Sequence, residues 1–263
     1  MKKKKLLWLL IPMALVAAVL LAKPAAALYE DISFNWKTHT ETELRVKAYA
    51  DEHGVRYSAY PKSLIALLER NPETEDFVLN YPFRETASEA TLAGTPRDTV
   101  PLLLQWDKRW GYETYGSDCI GITGCGPTCL SMAYYYLTGD ETMTPGKVAA
   151  FAAKNGYYAK GYGSSWTLIS QGGEKLGLSV TELPLVKKKL TENLEVGYPI
   201  ILALGKGDFT TTGHYIVLTG VQDGSFTVND PNSRENSGKL WSYEQLESQI
   251  RNIWVLKPGE EAA

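Results

Sequence analysis

The sequence predicts an α+β domain, a helical layer packed on an antiparallel sheet, because its helix signals and strand signals occupy successive stretches of chain. Between residues 126 and 194 apolar positions recur at helical spacing behind capping residues. From Pro199 onward they fall in short blocks bounded by turn residues, and Gln222-Asp223-Gly224 joins two such blocks as an Asp-Gly hairpin. A chain of 263 residues with 44% apolar residues supports one sizeable core plus an extension.

The N-terminus reads as an export signal. Lys2 to Lys5 form a basic region ahead of the apolar run Leu6 to Ala22, and Ala25-Ala26-Ala27 offers a small-residue cleavage site, so residues 1–27 are expected to be a signal peptide or a signal anchor. The run is nearly long enough to span a bilayer, and any membrane contact is expected only through residues 6–22, if they stay attached. The net charge of −3 becomes −8 once the five lysines of residues 1–27 are gone, which argues against nucleic acid or anionic lipid as partners. A secreted or cell-surface monomer is expected.

Residues 28–99 read as a helical extension and linker. Glu41 to His53 is a short helix ending at Gly54, and Pro61 to Tyr81 is helical around the Asn71-Pro72 break, with Leu64, Leu67 and Leu68 on one face. Ser88 to Asp98 carries the small and turn-forming residues of a linker.

The main domain is expected over residues 100–257, with 258–263 as a tail. Val100 to Gln105 reads as a short strand, and Gln105 to Gly111 as an aromatic, charged turn. Helices are expected over Gly126–Leu137, from Thr144 as N-cap with Pro145 to Asn155, over Ser165–Leu176 and over Val186–Leu194. Strands are expected at Pro199–Leu204, His214–Val221 and Ser225–Asn229, followed by a helix over Ser242–Ile250 and a closing strand at Ile253–Leu256. Three tyrosines in a row, Tyr134 to Tyr136, cannot all face one way on a helix. Core packing is the default for the aromatics, with Trp166 and Tyr162 as candidates to lie near a site.

The chemistry centres on Cys125 in Gly124-Cys125-Gly126-Pro127-Thr128, where a glycine-rich loop opens a helix. Helix N-termini favour a thiolate, the nucleophilic form. His214 follows at the start of one hairpin strand and Asp230 at the end of its partner, so the Asp-Gly turn brings both to the open end of the hairpin. Acyl transfer by a thiol needs such a base and such an orienting carboxylate. Other readings stand beside these: a core histidine for His214, an Asx turn with Pro231 for Asp230, and a structural thiol for Cys125.

The spacings of Cys119, Cys125 and Cys129 do not suit zinc, and no metal or other cofactor is expected. Pro127 stands where a phosphate loop needs its lysine, which removes nucleotide from the partners. Cys119 and Cys129 are either a disulfide that leaves Cys125 free or two small buried apolar groups.

Gln105-Trp106-Asp107-Lys108-Arg109-Trp110-Gly111, the Gly124–Thr128 loop, Gly213-His214-Tyr215-Ile216-Val217-Leu218 and Asn229-Asp230-Pro231, taken in order, resemble the papain-like cysteine peptidases related to the bacteriocin double-glycine leader peptidases (peptidase C39-like). The resemblance covers about Val100 to Leu256. It implies a papain-like fold in which Cys125 is the nucleophile, His214 the base and Asp230 its orienting partner. It also implies hydrolysis of a peptide or amide bond in a peptide or protein substrate through an acyl-thioester.

The leader peptidases carry an oxyanion-hole glutamine six residues before the nucleophile, where this chain has Cys119. Gln105 becomes the oxyanion candidate if Gly111 to Thr123 is an insertion; a polar turn residue is the other reading. Two further readings share the fold: a cell-surface binding module without catalysis, and a transpeptidase that passes the acyl group to an amine.

Overall fold

The computed structural model describes residues 25–36, 38–85, 89–161 and 163–259. Most of the expected signal segment, Tyr162 and the last four residues lie outside them. Among the described residues no helix is long and apolar enough to cross a membrane. The chain divides into two compact units between Arg70 and Asn71.

The first unit holds α1 (Ala25–Asn35), α2 (Glu41–Glu52) and α3 (Lys62–Arg70). Thr40 caps α2 through a capping box with Glu43, which satisfies donors that a helix start leaves open. Lys47 of α2 pairs with Asp31 of α1 at 3.0 Å, and Phe34 stacks on His39 with centroids 3.5 Å apart. Leu64, Leu67 and Leu68 of α3 are all buried, as their shared face predicts.

The second unit takes in the remainder of the expected extension. Asn71 caps the turn Pro72–Thr74, and α4 (Glu75–Leu79) follows. A two-stranded ribbon, β1 (Thr114–Tyr115) with β2 (Asp118–Cys119), turns at Gly116, whose φ of 70° lies in the left-handed region. The short helix α5 (Ile120–Thr123) leads through Gly124 into α6 (Cys125–Thr138), which ends at Gly139 in the left-handed conformation. Next come α7 (Pro145–Lys154), capped by Thr144, the ribbon β3 (Tyr158–Ala159) with β4 (Gly163–Ser164), and α8 (Ser170–Lys175).

The main sheet is antiparallel and six-stranded. It is built from β5 (Leu178–Glu182), β6 (Ile200–Leu204), β7 (His214–Gln222), β8 (Ser225–Asn229), β9 (Leu240–Trp241) and β10 (Ile250–Pro258), in the order β5-β10-β6-β7-β8-β9. The hairpin turn sits at Asp223 and Gly224, with φ of 52° and 74°, the two left-handed residues that a tight hairpin needs. Its register pairs Gln222 with Ser225 and Val217 with Asn229, with an irregularity between Leu218 and Gly220.

Both sheet faces are apolar. Ile201, Ala203, Tyr215, Val217, Trp254 and Leu256 pack with Cys129, Leu130, Met132 and Ala133 of α6. Ile200, Leu202, Leu204, Ile216, Leu218, Ile253 and Val255 form a second core with Leu190 and Leu194 of α9 (Lys187–Glu195) and Leu246 of α11 (Tyr243–Glu247). α10 (Arg234–Ser237) is a single turn after β8. The unbroken apolar runs of β6 and β7 follow from this double burial.

Three expectations are corrected here. Val100 to Gln105 is no strand: it lies beside the end of β8, where Asn229 donates to the Val100 carbonyl at 2.9 Å and Gln105 N–H to the Pro231 carbonyl at 2.8 Å. The Ser165–Leu176 helix is broken into the turn Trp166–Leu168 and α8. The expected helix to Ile250 stops at Glu247, since Ile250 already pairs with Leu204 in the sheet.

Candidate active site

Cys125 is the first residue of α6 and is partly exposed. The glycines around it answer to close packing. A Cβ at Gly124 would lie 2.6 Å from the Ile120 carbonyl oxygen, and one at Gly126 would lie 2.6 Å from Ser164 Oγ. Ser164 in turn receives a 2.7 Å contact from the buried Tyr115 hydroxyl, and its carbonyl accepts from Tyr215 at 3.2 Å. The β4 ribbon is therefore seated directly against the turn that presents the thiol.

His214 and Asp230 meet as the hairpin predicts. His214 Nε2 lies 2.7 Å from Asp230 Oδ1, and both side chains are almost fully buried. Asp230 Oδ1 also accepts from Asn232 N–H at 2.8 Å, so the Asx turn exists together with the histidine contact. Its Oδ2 accepts from Asn236 Nδ2 at 2.8 Å, and its own N–H donates to Ser237 Oγ at 2.9 Å.

Burial alone favours neutral forms of both groups, yet the pairing overrides it. Burial presses His214 down, but the Asp230 charge and hydrogen bond, with Cys125 adding in the same direction as charge and as bonding partner, raise it to about 10. Burial pushes Asp230 up, but His214, Asn236 and the Asn232 N–H hold it below the usual carboxylate range. With Nε2 committed to Asp230, Nδ1 is the ring nitrogen left for the thiol.

All three cysteines are free, and the Cys119–Cys129 disulfide is not formed. Both are buried, and burial drives the Cys119 thiol up to about 12 and Cys129 well above its ordinary range, which fits small buried apolar groups. Gln105 is buried at 4% exposure, and its Nε2 donates to the Gly121 carbonyl at 2.9 Å, four residues before Cys125. Its Oε1 has no partner. Gln105 thus bridges the loop leading to Cys125 and, through its backbone bond to Pro231, the loop after Asp230.

The aromatic turn is structural. Trp110 is 1% exposed with Nε1 bonded to the Leu104 carbonyl, and Trp106 donates to the Asn232 carbonyl at 3.0 Å. Trp166 is half exposed and meets the buried Trp254 edge-on at 6.0 Å. Sequence reasoning missed Tyr115, Ser164, Asn236, Asn71 and Glu73. Asn71 donates to the Asn232 carbonyl at 2.6 Å, and Glu73 bonds the turn after it. An Asn-Pro cap in an extension gives no local sign of where its side chain reaches. Among the described residues no cluster suits a metal ion.

A family model described as the Peptidase_C39 like family matches residues 97–258, more than half of the chain. The peptidase domain of Streptococcus ComA, a bifunctional ABC transporter of a quorum-sensing pathway, is similar at 22% identity, covering 52% of this chain and 92% of that one, with a TM-score of 0.41. A double-glycine-motif protease from an AMS/PCAT transporter, in complex with its leader peptide, is 17% identical over 64% of this chain and 97% of its own, with a TM-score of 0.39. A putative C39-like peptidase from Bacillus anthracis is 17% identical over 66% of this chain and 100% of its own, with a TM-score of 0.37. No curated protein matches the sequence. The helix that opens with Cys125, the sheet that presents His214 and Asp230, and the family match agree on a papain-like fold, and the chain belongs to the Peptidase_C39 like family.

Proposed function

We propose that the protein is a cysteine peptidase that hydrolyses a peptide or amide bond with Cys125, His214 and Asp230. The observation that carries this reading is the 2.7 Å contact between His214 Nε2 and a buried Asp230, which leaves the opposite ring nitrogen for Cys125. Cys125 Sγ attacks the carbonyl carbon, His214 gives its proton to the leaving amine as the C–N bond breaks, and an acyl-thioester forms. A water, losing its proton to His214, then attacks the thioester and releases the acid and the Cys125 thiolate, which restores the thiolate–imidazolium pair. Asp230 holds the imidazole in one tautomer and favours its protonated form.

The oxyanion of the tetrahedral intermediates needs donors. Cys125 N–H supplies one, and the second hydrogen of Gln105 Nε2 the other. The substrate is a peptide or protein met outside the cytoplasm, a reading supported by the basic and apolar segments of residues 2–22. A peptide-library digest followed by mass spectrometry tests the proposal. Wild type should cut a defined subset of peptides and Cys125→Ala none, while equal product from both would overturn it.

A further inference from the structure

Asn71 and Glu73 lie ahead of the family-matched segment, which begins at residue 97, yet both reach the loop that carries the orienting carboxylate. The turn that presents them is preorganised. Asn71 Oδ1 accepts from Glu73 N–H at 3.1 Å, while Thr74, fully buried, donates its hydroxyl to the Asn71 carbonyl at 2.7 Å. From there the Glu73 carboxylate collects three donors of one turn. Oε1 accepts from Ser233 Oγ at 2.9 Å and Glu235 N–H at 3.2 Å, and Oε2 accepts from Arg234 N–H at 2.9 Å.

The Ser233 hydroxyl that donates to Glu73 also accepts from Asn236 N–H at 3.1 Å. Asn236 Nδ2 then donates to Asp230 Oδ2, and Asp230 Oδ1 meets His214. An unbroken hydrogen-bonded relay therefore runs from Glu73 through Ser233, Asn236 and Asp230 to the imidazole. We propose that Glu73 is a positioning residue of the active site, fixing residues 231–236 so that Asn232 and Asn236 hold Asp230 against His214. This rests on the peptidase reading and adds to it a dependence on a segment outside the family-matched domain.

The relay explains why a carboxylate is needed. Three donors converge on it, and a carboxylate accepts several bonds where a neutral side chain accepts fewer. Losing it frees the Ser233 hydroxyl to turn away from Asn236, and Asp230 then loses a fixed partner on the oxygen that does not face His214. Of the other ionisable groups, Cys125 acts on His214 and Cys129 on Asp230, while Tyr115 and Tyr215 lie against Cys125. Near Glu73, Arg234 lies over the Trp106 ring at 4.5 Å and Glu235 pairs with Lys239 at 2.6 Å.

The test compares the full chain with Glu73→Ala, Glu73→Gln and Asp230→Asn, reading kcat/KM on a cleaved peptide and the rate of Cys125 alkylation by iodoacetamide across pH. Glu73→Ala should lower kcat/KM roughly tenfold through kcat, with KM little changed. It should move the alkaline limb of both profiles to lower pH, in the direction of Asp230→Asn. Glu73→Gln, which keeps an oxygen for Ser233 and Glu235, should recover most of both. Should Glu73→Ala melt below the assay temperature, Ser233→Ala cuts the same relay and takes its place, with the same shift expected.

An alkaline limb unmoved in Glu73→Ala or its substitute, while Asp230→Asn moves it, overturns the positioning role and leaves the peptidase reading intact. Profiles unmoved in Asp230→Asn overturn the assignment of Asp230 as the partner of His214, and the role of Glu73 falls with it, whereas the peptidase reading itself falls only if Cys125→Ala cleaves as wild type does.

Discussion

The loop that presents Cys125 and the loop that presents Asp230 are fixed by different physics. Around Cys125 the constraint is steric: Gly124 and Gly126 are glycines because Ile120 and Ser164 occupy the space a Cβ would take. Around Asp230 it is polar: Asn232, Asn236, Ser237, Trp106, Asn71 and Glu73 converge on a short turn through hydrogen bonds. Steric constraints of this kind fall on glycines and leave a mark as a motif, wherever in the chain the neighbour comes from. Polar constraints are gathered from distant chain, and they are what tunes a charge.

Substitutions in each loop sharpen that contrast. Cys125→Ala removes the nucleophile and should lower turnover by about a millionfold, to background, in a peptide-cleavage assay. Asp230→Asn should cost up to about four orders of magnitude, because the imidazole loses both its charge partner and its preferred tautomer. Its pH signature is specific. His214 is raised to about 10, so its protonated form should persist far above its ordinary 6.5, and Asp230→Asn should draw the alkaline limb of activity back down.

The same pairing makes stability depend on pH. The His214 contribution is complete below pH 6.5 and lost as pH rises toward about 10, whereas the Asp230 contribution is complete above its ordinary 3.8 and lost in acid. Thermal melts across pH should therefore lose stability at both ends in wild type, and less so at the alkaline end in Asp230→Asn.

Gln105→Ala should reduce kcat by about a hundredfold if its Nε2 serves the oxyanion, and a near-normal rate would leave it only its structural bonds to Gly121 and Pro231. Gly126→Ala probes the steric loop. Its added methyl meets the short, bonded Ser164 side chain at 2.6 Å, so denaturant unfolding should show a loss of about 1–3 kcal/mol.

What the sequence disclosed follows the same division. The Asp-Gly turn and its strands were legible because short apolar blocks and two left-handed positions are local signals, and they carried the His214–Asp230 pairing with them. The glycines around Cys125 were legible as a motif, though Ser164, the reason for one of them, lies 38 residues further on. β5 was not anticipated, although Leu178-Ser179-Val180-Thr181 alternates apolar and polar residues as an edge strand with one wet face does; at five residues the signal is short. Val100–Gln105 resembled a strand because it is apolar, but its hydrogen bonds go to a side chain and to the Pro231 carbonyl. The aromatic turn Gln105–Gly111 was legible as a motif and not in its role. Core packing is the default reading for Trp106 and the fold buries it, but nothing local tells that its Nε1 donates to the Asp230 loop.

Trp106 gives the smallest expected effect and the finest test of the polar loop. Its Nε1 and Asn71 Nδ2 both donate to one acceptor, the Asn232 carbonyl, at 3.0 and 2.6 Å. Asn232 N–H is the donor to Asp230 Oδ1, so the peptide that orients the carboxylate is gripped from the next residue's side by two independent side chains. Trp106→Phe keeps a buried ring under Arg234 but removes one grip, and a neutral hydrogen bond of this kind contributes about 1 kcal/mol. Since Asn71 still holds the carbonyl, the loss in kcat/KM should stay below about tenfold, with the pH profile unchanged. The double variant Trp106→Phe with Asn71→Ser should then lose more than the sum of the two singles, because only it leaves the Asn232 carbonyl without a donor. Strict additivity in kcat/KM would show that Asp230 is held by its own bonds to Asn232 and Asn236 alone, and the polar loop would then owe nothing in catalysis to the distant chain that reaches it.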